Sequence, residues 1–289
     1  TTVHCALPRV KCGRHGTLTL AAPWAGPRSR FTRLFEAFAI SVIRACRSVE
    51  DARKLLRLGW GQVRGIMAAA VERGLGRRGD GEVAWIGLDE KSFGKGQKYV
   101  SVMADIEGGR ILDVAEGRSE ESALALIAGG LGKAQREMVC GVAMDMSAPF
   151  EKAVRRELPN ADIVFDRFHV SKLLSDAVDS VRRSECARLR KENDRRLANT
   201  RYLWLKGLEH LSPEASAELR GLLRQSLRTA AAWGVKELFG GFWTRRGKEY
   251  AETFFRLWHR EALATKLAPV VKAAQTLARR LGNLLTYYD

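Results

Sequence analysis

Four apolar runs of strand length, each closed by an aspartate, lie between residues 83 and 166 of this 289-residue chain, and they restrict its fold more than any other feature. Val83-Ala84-Trp85-Ile86-Gly87-Leu88 carries no charge and stops at Asp89. An unbroken run of this kind is expected of a strand buried on both faces, whereas alternation marks a strand with one wet face. Tyr99–Ala104 follows across a Gly94-Lys95-Gly96 turn and stops at Asp105, and Ile111–Ala115 returns after Glu107-Gly108-Gly109. Met138–Met144 stops at Asp145, and Ile163-Val164-Phe165 stops at Asp166. Ser119 caps a helix with Glu120 and Glu121 in its first turn and Gly129-Gly130 at its end. A second helix runs from about 150 to 157, before Pro159-Asn160. The order β-β-β-α-β-α-β predicts an α/β fold built on a mixed sheet.

Connection lengths then sort the aspartates. The second strand returns antiparallel from the first, so Asp105 falls at the opposite edge. The fourth and fifth strands follow helical crossovers and run parallel to the first. Asp89, Asp145 and Asp166 therefore share one end of the sheet. Turns favour aspartate on their own account, so position carries the signal here rather than residue type. Carboxylates gathered at one edge repel one another unless a divalent cation neutralises them. Two Mg²⁺ or Mn²⁺ ions about 4 Å apart are a known device for in-line attack on a phosphodiester. Asp89, Asp145 and Asp166 are thus all candidate metal-binding carboxylates on this geometry. His169 reads as a helix-start histidine packing on Phe168, and Cys140 as a core residue.

The flanks supply the partner. The chain has 49 Lys+Arg against 33 Asp+Glu, a formal charge of +16. Residues 1–80 carry a net +10, residues 81–180 a net −5 and residues 181–289 a net +11. Basic ends around an acidic centre suit an enzyme that grips a polyanion and places metal on it, with double-stranded DNA the expected partner; solvated charged faces are the plain alternative. No apolar run approaches the ~20 residues of a membrane span. The five cysteines, at 5, 12, 46, 140 and 186, make no disulfide framework, which fits a reducing cytoplasm.

Upstream of residue 80 the period is helical. Phe31, Leu34, Phe35, Phe38, Val42 and Ile43 form one stripe. Ser48-Val49-Glu50-Asp51 reads as a capping box opening a second helix with Val49, Ala52, Leu55 and Leu56 inward. After Gly59 a third helix buries Val63, Ile66, Met67, Ala70 and Val71. Helix-turn-helix and plain three-helix bundle both fit this pattern. Gln62 and Arg64 on the third helix are candidate DNA contacts. Cys12 and His15 have the spacing of one half of a zinc site. Beyond Phe168 the chain is helical and basic, with Arg182 and Arg183 as candidate phosphate contacts and with Trp233, Phe239, Phe242, Trp243, Phe254, Phe255 and Trp258 read as core. Glu249, Glu252 and Glu261 lie on the late helices.

The strings Ile86-Gly87-Leu88-Asp89-Glu90-Lys91-Ser92-Phe93-Gly94-Lys95-Gly96, Ala143-Met144-Asp145-Met146-Ser147-Ala148-Pro149-Phe150 and Leu158-Pro159-Asn160-Ala161-Asp162-Ile163-Val164-Phe165-Asp166-Arg167-Phe168-His169-Val170 resemble consecutive blocks of the bacterial insertion-sequence transposases of the ISL-three group. Pro8–Gly16, Pro23-Trp24-Ala25 and Phe31-Thr32 resemble the start of that group. The resemblance implies an RNase H-like catalytic core of the D-D-E type, cutting and joining DNA with Mg²⁺ or Mn²⁺. On that pattern Asp89 would be the first acid and Asp145 the second, both catalytic and metal-binding, while Asp166, one strand further over, reads as a structural or substrate contact. It implies a homodimer on element terminal repeats and target DNA, in a bacterial cytoplasm at the nucleoid. It also implies an N-terminal zinc module, of which Cys12 and His15 would be the second half, a helix-turn-helix, and an all-helical C-terminal insertion. The expected organisation is a partial zinc module over 1–27, the helix-turn-helix over 28–78, the core over 81–175 and the insertion over 176–289. The group's third acid, a Glu in a T-N-x-x-x-E-x-x-N-like block, is expected beyond Leu284–Asp289. A non-catalytic DNA-binding remnant and an RNase H-like nuclease are the other functions this pattern allows.

Overall fold

The computed structural model describes residues 4–26, 29–79, 81–94 and 98–289. The turn residues Lys95 and Gly96, the loop residue Pro27 and the linker residue Asp80 lie outside them. The chain divides into two compact units, Thr1–Asp80 and Gly81–Asp289.

In the first unit, β1 (Arg9–Cys12) and β2 (Gly16–Thr19) form an antiparallel hairpin closed by Gly16 at φ 72°. Helices α1 (Arg33–Ala45), α2 (Val49–Leu56) and α3 (Trp60–Leu75) follow. Thr32 caps α1 by accepting from the Phe35 N–H. Ser48 caps α2 by accepting from the Asp51 N–H and donates its own hydroxyl to the Asp51 carboxylate. Ala39, Ala52, Val63 and Ile66 are buried to 2 % exposure or less. The sequence stripes were wider than this core: Leu34, Phe38, Leu55 and Val71 all stand exposed. Three short helices enclose only one or two residues from each, which leaves the margins of every apolar stripe outside.

The second unit is built on a sheet of β3 (Trp85–Gly94), β4 (Lys98–Asp105), β5 (Arg110–Glu116), β6 (Gly141–Met144) and β7 (Asp162–Phe165). Their spatial order is β5-β4-β3-β6-β7. The β3–β4 and β4–β5 pairs are antiparallel, while β3–β6 and β6–β7 are parallel. Helices α4 (Glu120–Gly130), α5 (Lys133–Met138) and α6 (Ala148–Glu157) make the crossovers. Ile86, Leu88, Met103, Leu112, Val142 and Met144 are buried in one core with Leu126 and Ile127 of α4 and Phe150 and Val154 of α6. The other face, with Gly87, Val102, Ala104, Ala143 and Val164, is only half-buried. These strands are thus not sealed equally on both faces, as the unbroken runs had suggested. Small side chains on the shallower face keep the sequence apolar without filling a second core.

Two local expectations differ. Residues 133–138 form α5, so the strand begins at Gly141 and not at Met138. Cys140 precedes the strand and is exposed, with its thiol directed to the Met138 carbonyl.

The helical remainder comprises α7 (Arg167–Lys191), α8 (Arg201–Leu205), α9 (Pro213–Leu223), α10 (Arg228–Phe239), α11 (Lys248–Ala264), α12 (Ala268–Arg279) and α13 (Leu281–Leu285). Both α10 and α12 pack on α7, and α13 returns to β7. Phe239 stacks on Phe242 and meets Trp258 edge-on at 4.6 Å, and the buried Trp258 donates its indole N–H to the Val235 carbonyl. The aromatics read as core therefore are core, apart from the partly buried Trp233 and Phe254.

Candidate active site

Register brings the three aspartates together. Leu88 pairs with Met144, and Met144 with Phe165, so Asp89, Asp145 and Asp166 each follow the last matched position of three neighbouring parallel strands. Such strands lie about 4.8 Å apart. All three aspartates line one cavity of about 230 Å³, floored by Gly87, Ala104 and Ala143. Asp105 is paired with Ile86 at the far end, bound to Arg110 at 2.9 Å and to the Gly108 N–H.

Each carboxylate is oriented by its own backbone and left open on the other side. Asp89 accepts from the Glu90 N–H at 2.8 Å, Asp145 from the Ser147 N–H at 3.0 Å, and Asp166 caps α7 by accepting from the Phe168 N–H at 2.9 Å. The Asp89 side chain is 73 % exposed. Among the described residues, no lysine or arginine pairs with Asp89 or Asp145. The base beside Asp89 is His169, whose Nε2 lies 3.8 Å from Asp89 Oδ1 and 3.9 Å from Asp166 Oδ2. His169 also meets Phe168 edge-on at 5.4 Å, as the sequence reading expected. Its reach to Asp89, eighty residues away, had no local sequence signal. The i,i+3 spacing from Asp166 was the one available hint.

This set suits a hard divalent cation that keeps some of its waters. The donors are carboxylate oxygens, the floor is small, and no fixed cation occupies the space. Among the described residues, no group of three or more His, Cys, Asp or Glu side chains converges tightly enough to enclose an ion.

The remaining candidates fall as follows. Cys12 Sγ and His15 Nδ1 lie 3.4 Å apart on the β1–β2 hairpin, close to the roughly 3.5 Å edge of a zinc tetrahedron. Gln62 and Arg64 are exposed on α3, but the Gln62 side-chain carbonyl accepts from the Gly59 N–H and so caps its own helix. Arg182 is 11 % exposed and bound to Asp179 at 2.8 Å, which commits it to the interior. Arg183 is 69 % exposed. Glu252 and Glu261 pair with Arg256 and Arg260 on their own helix.

Comparison with known proteins gives this arrangement a family. A family model described as a DDE-type ISL3 transposase matches residues 86–289, and one described as the helix-turn-helix domain of transposase family ISL3 matches residues 20–71. The chain belongs to the ISL3 transposase family. It is 26 % identical over 266 residues to the transposase for insertion sequence element IS1001 of Bordetella parapertussis, covering 91 % of this chain and 65 % of that protein. It is 26 % identical over 298 residues to the transposase for insertion sequence element IS1557 of Mycobacterium tuberculosis, covering 94 % and 66 %. The chain thus spans about two thirds of the length of these relatives.

Proposed function

We propose that this chain carries the DNA-binding part and the first two acids of a DNA transposase that cuts insertion-sequence ends and joins them to target DNA. The observation that carries this reading is the register of β3, β6 and β7, which sets Asp89 and Asp145 side by side at the open end of the sheet. The strand order, an antiparallel three-strand half continued by two parallel strands, supports an RNase H-like core. Asp89 and Asp145 would hold Mg²⁺ or Mn²⁺, which supplies an activated attacking oxygen and stabilises the leaving oxygen of the phosphodiester. The protein's own part is positional. Backbone N–H groups hold one oxygen of each carboxylate and leave the other free, Asp166 fixes the start of α7, and α7 carries His169 against the carboxylates. Helix α3, with Arg64, would meet duplex DNA, and Arg183 would contact phosphate. Cys12 and His15 would supply two ligands to Zn²⁺ in the first unit. The expected partners are element terminal repeats and target DNA, bound by a homodimer at the bacterial nucleoid.

A labelled duplex bearing an element end, incubated with Mn²⁺, tests this. Strand cleavage is expected from the parent chain, and its loss from Asp89→Ala and from Asp145→Ala. Undiminished nicking by either variant removes the assignment. The absence of a third converging carboxylate among the described residues favours a second reading, a DNA-binding protein without cleavage. That reading predicts a retained gel shift with no product at any Mn²⁺ concentration.

A further inference from the structure

A second cavity, of about 430 Å³, adjoins the carboxylate site and shares Asp145 and His169 with it. Its walls carry two cations, Arg118 and Lys172, together with Glu90 and Asp176. No step described above uses either cation.

Arg118 is held by a built turn. The preceding Gly117 sits at φ 86°, its N–H donates to the Tyr99 carbonyl at 2.8 Å, and its own carbonyl accepts from the fully buried Ser101 hydroxyl at 2.8 Å. That positive φ favours glycine, and a Cβ at 117 would also press on the Ser122 hydroxyl at 2.6 Å. The following Ser119 caps α4. The Arg118 guanidinium lies 4.1 Å from the centroid of the Tyr99 ring and is 48 % exposed. Its contact with Glu90 is loose, at 3.5 Å. A guanidinium stacked on an aromatic face keeps its donor edge available for an oxyanion and loses little rotamer freedom on binding. Lys172 rises from the exposed side of α7, and among the described residues no carboxylate pairs with it.

We propose that Arg118 and Lys172 form a phosphate clamp, binding a DNA phosphate next to the one held at Asp89 and Asp145. This rests on the reading that the carboxylate site acts on DNA. Glu90, Asp145 and Asp176 face the same cavity, so the clamp works best when a divalent cation offsets them. The two cations then fix the direction in which the strand leaves the site.

The test is fluorescence-anisotropy binding of a labelled DNA duplex to the full chain over a range of KCl concentrations, with Ca²⁺ as a non-cleaving cation. Arg118→Ala and Lys172→Ala should each weaken binding about tenfold and lower the salt slope by about one. Arg118→Lys should keep the slope and recover part of the affinity. Lys172 is exposed on a long helix, so its variant folds whatever becomes of the Arg118 turn. An unchanged slope and affinity for Lys172→Ala and for a folded Arg118→Ala overturn the clamp. Asp145→Asn separates the two readings. If it tightens binding once EDTA replaces Ca²⁺, while both cation variants do nothing, DNA lies at the carboxylates and the clamp alone is wrong. If Arg64→Ala lowers the slope while Asp145→Asn, Arg118→Ala and Lys172→Ala are all silent, DNA does not reach this end of the sheet and the proposed function fails with the clamp.

Discussion

Single side chains in this protein divide sharply between those committed to the fold and those left open. Arg182 and Arg183 are adjacent in sequence and equally basic, yet the first is tied to the buried Asp179 while the second is mostly in solvent. Arg182→Ala should cost about 1–3 kcal/mol, because it strips the closest partner from a buried carboxylate and leaves Arg183 and Arg201 to compensate from 3.4 and 3.7 Å. It should leave the salt slope of DNA binding unchanged. Arg183→Ala should do the reverse, with a lower slope and an unaltered urea midpoint. A swap of these two outcomes would show that the contact with Asp179 does not hold Arg182 in solution. Gly141 is a second committed position. The Trp85 ring lies against its Cα, so any Cβ there collides with the indole. Gly141→Ala should lower the urea midpoint by an amount equivalent to about 1–3 kcal/mol without changing the m-value, since overpacking strains the native state and leaves the unfolded chain alone.

Whole elements are fixed by contacts far apart in sequence, and this decides what could be read in advance. Glu185 of α7 is 3 % exposed and accepts from the N–H groups of Arg228 and Thr229 and from the Thr229 hydroxyl. It caps α10 from another helix, because Leu227 at the cap position has no side-chain acceptor. Glu185→Ala should cost about 2 kcal/mol and loosen α10 first, read as faster amide exchange over 228–231. The joint between α6 and α13 works through Glu151. Burial opposes its ionisation, but hydrogen bonds from Arg155 and Arg280 outweigh burial and hold the carboxyl below the usual glutamate range. A depressed folded-state pKa adds stability that is complete above the unfolded value near 4.3 and disappears as pH falls through the folded value. The stability gap between the parent chain and Arg280→Ala should therefore be flat above about pH 5 and close in acid; a gap constant down to the acid transition would rule out this joint. Neither contact shows in the sequence, because each partner is an ordinary surface-type residue until the fold pairs it. The strands were legible, since apolar runs closed by turns have few other uses. So was the placing of Asp89 and Asp145 at one end of the sheet, which follows from the parallel strands that helical crossovers join; that their strands are neighbours was not. Helix α5 was missed because Met138 and Val139 extend the apolar run of β6 backwards, and hydrophobicity without periodicity cannot separate a helix end from a strand start.

Across the whole chain, the charge sets a problem for the proposed DNA site. The first 80 residues carry a net +10 and the last 109 a net +11, while residues 81–180, which form the sheet, carry a net −5 and end its open side in Asp89, Asp145 and Asp166. If the chain binds DNA as proposed, its basic surfaces would draw a duplex in and release its counterions, so binding should fall steeply with salt. The carboxylates oppose the last few ångströms of approach, at about 1 kcal/mol per like-charge contact near 4 Å in water, or roughly fivefold in affinity for each. Unless those charges are offset, DNA should be held by the basic ends and kept away from the site. A divalent cation would therefore act on binding as well as on chemistry. At constant ionic strength, replacing EDTA with Ca²⁺ should tighten duplex binding by the parent chain several-fold. The double variant Asp89→Asn with Asp145→Asn should bind more tightly than the parent in EDTA and gain little from Ca²⁺, since it has lost the repulsion that the ion relieves. Equal responses of parent and double variant would place the cation effect elsewhere on the DNA or the protein, and the acidic end of the sheet would then have no part in holding the duplex.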